Sequence, residues 1–413
     1  MEFRDIWRIY ILKLLMNVWD KILRKIDEKY GDETINLCRK LIQTKSLSGM
    51  EDGISFLISR HMQKLGYDRV EIDKVGNVIG IMEGEANSAH PLLFDGHMDT
   101  VGEGLSSSWD YNPYSATSVD GIIHGRGASD MKGGLAAMIM ACSLIKDCLG
   151  RLSNDLMMVC VVHEEDCEGF GVRKVLEKYG RPKCVVLGEA TNLSLAIGHR
   201  GRVELEIETK GRTAHGSVPD RGINAIYEMM PVIQRIKAVK KAHYHPFLGY
   251  SSVSVNRIWC SPDETPIIPD SCTIVVDRRT VLRETKQSIL SEGLSYLGDI
   301  KGDVRIANRK ITCYTGYSET VEQYFPAWIT PPEHEIVKIA KEHLGVALGR
   351  SIPLSKWSFS TDGTYTAGVE KIPTIGFGPG EEKFAHTPED QVKKSDILES
   401  LKGYVALAIG LMD

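Results

Sequence analysis

Pro91-Leu92-Leu93-Phe94-Asp95-Gly96-His97-Met98-Asp99 is the stretch on which the reading of this 413-residue chain turns. Residues 91–94 form a compact apolar run of buried-strand length, and an Asp-Gly-His-Met-Asp segment follows directly. In extended backbone, side chains two residues apart point to the same side, so His97 and Asp99 leave the strand together. Open α/β sheets bind ligands in the crevice beyond the carboxyl ends of their strands. A lone His-x-Asp is common by chance. The segment gains meaning only if distant parts of the chain send matching chemistry to the same crevice.

Working outward, the first half alternates helix and strand signals. Residues 37–42, 54–65 and 135–145 have helical patterning, while 70–72, 78–82, 156–162 and 184–187 read as strands. Strands alternating with helices predict an α/β fold whose sheet is covered on both faces. Near Leu195 the texture changes. Val203-Glu204-Leu205-Glu206-Ile207-Glu208 alternates apolar and charged residues, as in a strand with one wet face. A helix should follow, with Ile223, Ile226, Met230, Ile233, Ile236 and Val239 on one face, and then strands at 272–276 and 304–306. Buried texture returns after about residue 318, with a helix at 336–347 and a core strand at 374–377. The simplest account is two domains. Residues 1–195 and 319–413 would form the catalytic domain, and 196–318 an inserted α+β lid.

Composition narrows the function classes. Fifty Lys and Arg against fifty-five Asp and Glu give a formal charge of -5, too weak a field to recruit nucleic acid or an anionic membrane. The nine cysteines are scattered, odd in number and free of CxxC pairs, which argues against a disulfide framework and for a reducing, cytoplasmic compartment. Trp7, Ile11, Leu14, Val18 and Ile22 fall at helical spacing, but charges interrupt the run. It is expected to be an amphipathic docked helix, without stable membrane insertion. Met16 offers an alternative start that would omit the residues before it.

Four further segments carry chemistry, mostly at strand ends. Asp130 stands in Gly125-Arg126-Gly127-Ala128-Ser129-Asp130-Met131-Lys132-Gly133-Gly134, just before the 135–145 helix. Glu164 and Glu165 follow the 156–162 strand in His163-Glu164-Glu165-Asp166-Cys167-Glu168-Gly169. Glu189 follows the 184–187 strand, and His386 lies in Ala385-His386-Thr387-Pro388-Glu389-Asp390. Taken singly, each also fits a helix cap, a charged surface loop or a packing residue. Adjacent carboxylates at a strand end are costly unless something neutralises them. Together, two histidines and several carboxylates without a thiolate form an N/O donor set suited to Zn²⁺, with Mn²⁺ or Co²⁺ compatible by ligand type.

In this order and with these motifs, the chain resembles the co-catalytic zinc aminoacylases and carboxypeptidases. That family includes acetylornithine deacetylase, succinyl-diaminopimelate desuccinylase and glutamate carboxypeptidase. The likeness runs from about His97 to His386, and the stretch from His163 to Gly169 is most similar to a branch of hydrolases linked with selenium metabolism. The resemblance implies a mixed-sheet metallohydrolase domain with an inserted lid and dimerisation domain, two divalent metal ions and a homodimer. It implies that His97, Asp130, Glu165, Glu189 and His386 bind the metals, with Asp130 bridging and the Asp130-Met131 peptide cis. Asp99 would orient His97 through its carboxylate, and Glu164 would be the general base. His215 would reach the oxyanion across a dimer, and Arg279, with Asn256 as a weaker partner, would grip a substrate carboxylate.

The implied activity is amide hydrolysis in N-acyl amino acids or short peptides by metal-activated water. An aminopeptidase or dipeptidase is the near alternative. A metal-binding pseudoenzyme is the alternative of another class, and the presence of Glu164 counts against it. A serine or cysteine nucleophile at Ser129 or Cys167 lacks the nucleophile-elbow spacing. Ala190 stands where family members often have proline, Pro266-Ile267-Ile268-Pro269 replaces the usual Asn-x-Ile-Pro, and Thr364 stands where an arginine is often found. These departures leave the acyl preference open.

Overall fold

The structure is a computed structural model and describes residues 18–85, 90–239 and 243–412. Most of the amphipathic helix expected from Trp7 to Ile22 lies outside the described residues. Two helices, α1 (Gly31–Gln43) and α2 (Asp52–Lys64), precede strands β1 (Arg69–Ile72), β2 (Val78–Met82) and β3 (Leu92–His97). Helix α3 (Gly133–Leu149) leads to β4 (Leu156–Val161), α4 (Phe170–Tyr179), β5 (Cys184–Leu187) and β6 (Leu195–His199). The chain then builds a second unit from β7 (Gly201–Lys210), α5 (Ala225–Ala238), β8 (Ser252–Ser261), β9 (Ser271–Thr280), α6 (Lys286–Leu297), β10 (Gly302–Ile306) and β11 (Tyr324–Phe325). It returns through β12 (Trp328–Ile329), α7 (Glu335–Leu348), β13 (Leu354–Trp357), β14 (Thr374–Gly376) and α8 (Lys394–Met412).

The strands of the first and last segments join in one mixed sheet of order β1-β2-β4-β3-β5-β14-β6-β12, with β13 also paired to β6. Its centre, β4-β3-β5-β14, is parallel throughout. Both faces are covered, as the apolar runs predict. Leu92 and Phe94 of β3 pack among α1, α2, α3, α7 and α8, while Leu93 between them packs with Val172 and Val175 of α4. Helix α3 and the loop before it are long and apolar enough to cross a bilayer, yet lie wholly inside the protein as the core helix. All nine cysteines are free, and eight of them are buried.

In the second unit β8-β9-β7-β10 form an antiparallel sheet, with β11 paired to the start of β7. β7 alternates buried and half-buried residues along its full length, as the Val203–Glu208 pattern requires. This sheet therefore takes in Tyr324–Phe325, beyond the boundary expected at residue 318. The returning strand pairs with Arg202 and Val203 before the chain re-enters the large sheet. The chain leaves and returns at one place. A side chain at Gly201 would sit 2.5 Å from the Phe325 carbonyl oxygen and 2.6 Å from the Ala327 nitrogen.

Helix α5 corrects one expectation. It buries Ala225, Met229, Val232 and Ile236 against the sheet, and leaves Ile223, Ile226 and Met230 exposed. The helix carries apolar residues on two stripes, so periodicity alone could not choose between them. The inner stripe is the one that meets Val203, Leu205 and Ile207.

Helix α3 begins hard against the end of β5. A Cβ on Gly134 would lie 2.3 Å from the carbonyl oxygen of Gly188, a backbone atom that cannot turn away. Gly134→Val is therefore expected to cost about 1–3 kcal/mol through overpacking. Chemical denaturation measures this, and an unchanged midpoint would show that the helix can slide off the strand end.

Candidate active site

The three central parallel strands β4, β3 and β5 end side by side, and each delivers donors from its carboxyl end. β3 closes with His97, the turn after β4 carries Glu164 and Glu165, and Glu189 stands two residues beyond β5. Neighbouring strands lie about 4.8 Å apart, so residues far apart in sequence converge by topology alone. β14 continues the parallel set and leads through Gly378-Pro379-Gly380 toward His386. Asp130 comes from the loop that lays α3 on the sheet, where the Asp130-Met131 peptide is cis.

These six residues meet. His97 Nε2 is 3.0 Å from Asp130 Oδ1 and 3.7 Å from Glu189 Oε1. His386 Nε2 is 3.4 Å from Asp130 Oδ2 and 2.7 Å from Glu165 Oε2. The two oxygens of Asp130 thus face two different histidines, and each histidine has its own glutamate. Donor atoms of His97, Asp130 and Glu165, and separately of His97, Glu164 and Glu189, all lie within 4.8 Å of one another. Two donors each about 2.0–2.1 Å from a tetrahedral zinc would stand roughly 3.3–3.4 Å apart, and the four separations here, from 2.7 to 3.7 Å, bracket that distance.

The electrostatics call for cations. Burial pushes the Glu164 and Glu189 carboxyls well above the usual range, reinforced by the charge of Glu189 at Glu164 and by Asp130 and Asp362 at Glu189. Burial likewise raises Glu165. Asp130 moves the other way: burial opposes ionisation, but bonds from His386 and His97 outweigh it and hold the carboxyl low. His386 is pushed up to about 10 by its bonds to Asp130 and Glu165. His97 rises well above its ordinary value because Glu189 and Asp130 overcome the effect of burial. The imidazoles are doing the neutralising. Glu164 Oε1 and Glu189 Oε2 are buried with no hydrogen-bond partner among the described residues. Open lone pairs and an excess of carboxylate fit two divalent cations, and the N/O donors fit zinc.

Asp99 sits beneath the cluster in a way the motif did not indicate. The bond to His97 Nδ1 comes from the backbone carbonyl of Asp99 at 2.9 Å, whereas its carboxylate stands 3.7 Å away. The carboxylate instead accepts the backbone N–H groups of Glu164 at 3.1 Å and Glu165 at 3.2 Å, and the Ser48 hydroxyl at 2.7 Å. Its side chain organises the turn carrying both glutamates, and its main chain fixes the imidazole tautomer.

The other expected residues lie apart. His215 is exposed in a loop of the second unit, its Nδ1 accepting from the Ser217 amide and paired with the Ser217 hydroxyl. Arg279 makes a fork to Asp277, at 2.8 and 3.2 Å. Asn256 is exposed at the bulge of β8 and takes a bond from Ser254. Among the described residues, no hydrogen bond or ion pair ties these three to the cluster around Asp130.

Several buried acids escaped sequence reasoning. Asp95 is buried with both carboxylate oxygens unpartnered among the described residues. Asp362 accepts the Gly169 amide at 2.6 Å and is raised by burial to about 7. Asp390 takes the Gly127 and Ser129 amides and Arg126, so it ties down the loop before Asp130. Glu51 accepts the amides of Gly49 and His163. Asp95 and Asp390 stand inside the motifs above, and Asp362 lies in Ser360-Thr361-Asp362-Gly363, directly before Thr364. Nothing in local sequence distinguishes Glu51 from a helix-capping acid.

Residues 93–409 match the model of peptidase family M20/M25/M40. The chain is 33% identical over 397 residues to the uncharacterised protein YgeY of Escherichia coli K12, covering 95% of this chain and 98% of that one. It is 29% identical over 251 residues to succinyl-diaminopimelate desuccinylase of Wolbachia pipientis, covering 58% and 63%. Its fold is similar to that of Bacillus subtilis YXEP, described as a dinuclear metal binding peptidase from the M20 family. The TM-score is 0.65 at 17% identity, over 92% of this chain and 98% of that chain. With its mixed α/β architecture, the chain belongs to peptidase family M20/M25/M40 and is a metal-dependent amidohydrolase.

Proposed function

We propose that the chain hydrolyses the amide bond of N-acyl amino acids or short peptides with two zinc ions, as a cytoplasmic homodimer. The observation that carries the site is the carboxylate of Asp130, whose two oxygens face His97 with Glu189 on one side and His386 with Glu165 on the other. In this reading His97, Asp130 and Glu189 hold one ion, and Asp130, Glu165 and His386 the other. When bound, the ions supply Lewis acidity and lower the pKa of a water toward about 7.

The protein residues do the rest. Glu164, whose Oε1 is unpartnered, accepts the proton of the attacking water and returns it to the leaving nitrogen. Asp99 fixes the aim of Glu164 by holding its backbone amide. The inserted unit, residues 201–325, acts as the lid. Arg279 offers its fork to a substrate carboxylate, with Asn256 beside the same pocket, and His215 of a second copy donates to the charge developing on the carbonyl oxygen.

Two features support the dimer. Helix α5 presents Ile226, Tyr227 and Met230 to solvent, and β8 is a ten-residue edge strand bearing exposed Ile258 and Trp259. A long apolar edge is a template for a second chain unless it is covered. Free cysteines throughout support a reducing compartment.

Glu164→Ala is expected to keep both metals while turnover falls about 10²–10⁴-fold. Glu165→Ala should lose metal as well. A screen of N-acyl amino acids and free dipeptides on metal-reconstituted protein, with metal content measured alongside, tests both; an active Glu164→Ala enzyme removes the base. Met230→Glu together with Trp259→Glu should yield a monomer by sedimentation, with kcat lowered as in His215→Ala. A fully active monomer would take His215 out of the mechanism.

A further inference from the structure

The turn that carries Glu164 and Glu165 is held from two sides. On the catalytic side Glu51 accepts the His163 amide at 3.3 Å, Asp99 accepts those of Glu164 and Glu165, and Asp362 accepts that of Gly169. On the other side stands the second unit. Glu168 Oε1 is 2.7 Å from a terminal nitrogen of Arg202, the second residue of β7, with the two side chains 6% and 12% exposed. The other terminal nitrogen of Arg202 reaches Glu204 Oε1 at 2.6 Å. Glu204 is in turn bonded by Arg309 at 3.0 Å, and Arg309 donates through its remaining terminal nitrogen to the carbonyl of Asp166 at 3.0 Å. A chain of alternating charges in the inserted unit thus grips the turn at residues 166 and 168, two and four positions beyond Glu164. Arg202 also lies 5.3 Å from the ring centroid of Phe325, at the point where the chain crosses back.

We propose that Arg202, with Arg309 behind it, is a positioning residue for the general base, so that the aim of Glu164 depends on where the inserted unit sits. This rests on the reading of Glu164 as the base. The physical reason is charge balance in a buried place. Glu168 Oε2 has no hydrogen-bond partner among the described residues, so Arg202 is the main cation holding this carboxylate. Deprived of that cation, Glu168 would be one more uncompensated carboxylate beside an already acidic cluster, and the turn would shift to relieve it. A displacement of about 1 Å at a reacting group costs on the order of 10²-fold in rate.

The test uses full-length, metal-loaded protein. Arg202→Met is expected to lower kcat about 10- to 100-fold with KM changed less than about threefold and metal content unchanged. Amide exchange should rise in residues 163–169. Arg202→Lys should recover part of the loss. Glu168→Gln should reproduce it, and the double variant should be no worse than either single one, because both remove the same interaction. Glu168→Gln, nearly isosteric, carries the test if Arg202→Met fails to fold. The proposal is overturned by near-wild-type kcat, by single-variant losses that multiply, or by exchange that rises across the whole inserted sheet. Should the wild-type protein cleave no amide in the screen, the activity reading falls. The exchange measurement still decides whether Arg202 holds the turn.

Discussion

Charge crowding is the constraint on which this structure depends. Asp130, Glu164, Glu165 and Glu189 occupy one small volume behind the strand ends, largely shielded from water, with two imidazoles among them. Like charges in low dielectric repel strongly, so the cluster persists only where positive charge is built in or bound. Much of the surrounding fold serves to keep these groups together. Asp99, Glu51 and Asp362 anchor the turn after β4, and Asp390 with Arg126 anchors the loop before α3. Each of these carboxylates receives backbone amides and so fixes the main chain, and Asp362 also adds its charge to those that raise Glu164 and Glu189.

Much of the architecture was legible because its signals are local. The apolar run at Leu92–Phe94 and its counterparts at β4 and β5 have the length of buried strands, and alternation along β7 marked a sheet with one wet face. The segments of the candidate site stood out because acids and histidines followed those strands. What sequence could not supply was direction. Helix α5 has two apolar stripes of similar strength, and the choice of the Met229 and Val232 stripe comes from contact with β7. The family resemblance gives the Asp99 carboxylate to His97, yet that carboxylate turns to the amides of the next strand's loop, a partner some 65 positions away.

Glu51 and Asp362 illustrate the other limit. Glu51 belongs to no motif and Asp362 lies in a segment whose sequence gives it no role, and each acquires one when the chain brings a distant amide to it. Arg202 and Arg309 are similar: on the sequence they are ordinary charged positions of strands, and only folding sets them against Glu168 and Asp166. Chemistry-bearing residues announce themselves by type and place. The residues that hold them still do not.

The close approach at Gly201 has a bearing on how such a molecule can change over evolutionary time. Entry and exit of the inserted unit touch, so the large sheet experiences the whole 201–325 segment much as it would a short hairpin. Folding of the surrounding core therefore demands little of the insert's length or content, and exchange of one such cassette for another is topologically cheap. The tolerance ends at the first residues of the cassette. A newcomer must lack a side chain at the crossing and must present a cation to Glu168, so selection on the graft would be concentrated at its stem.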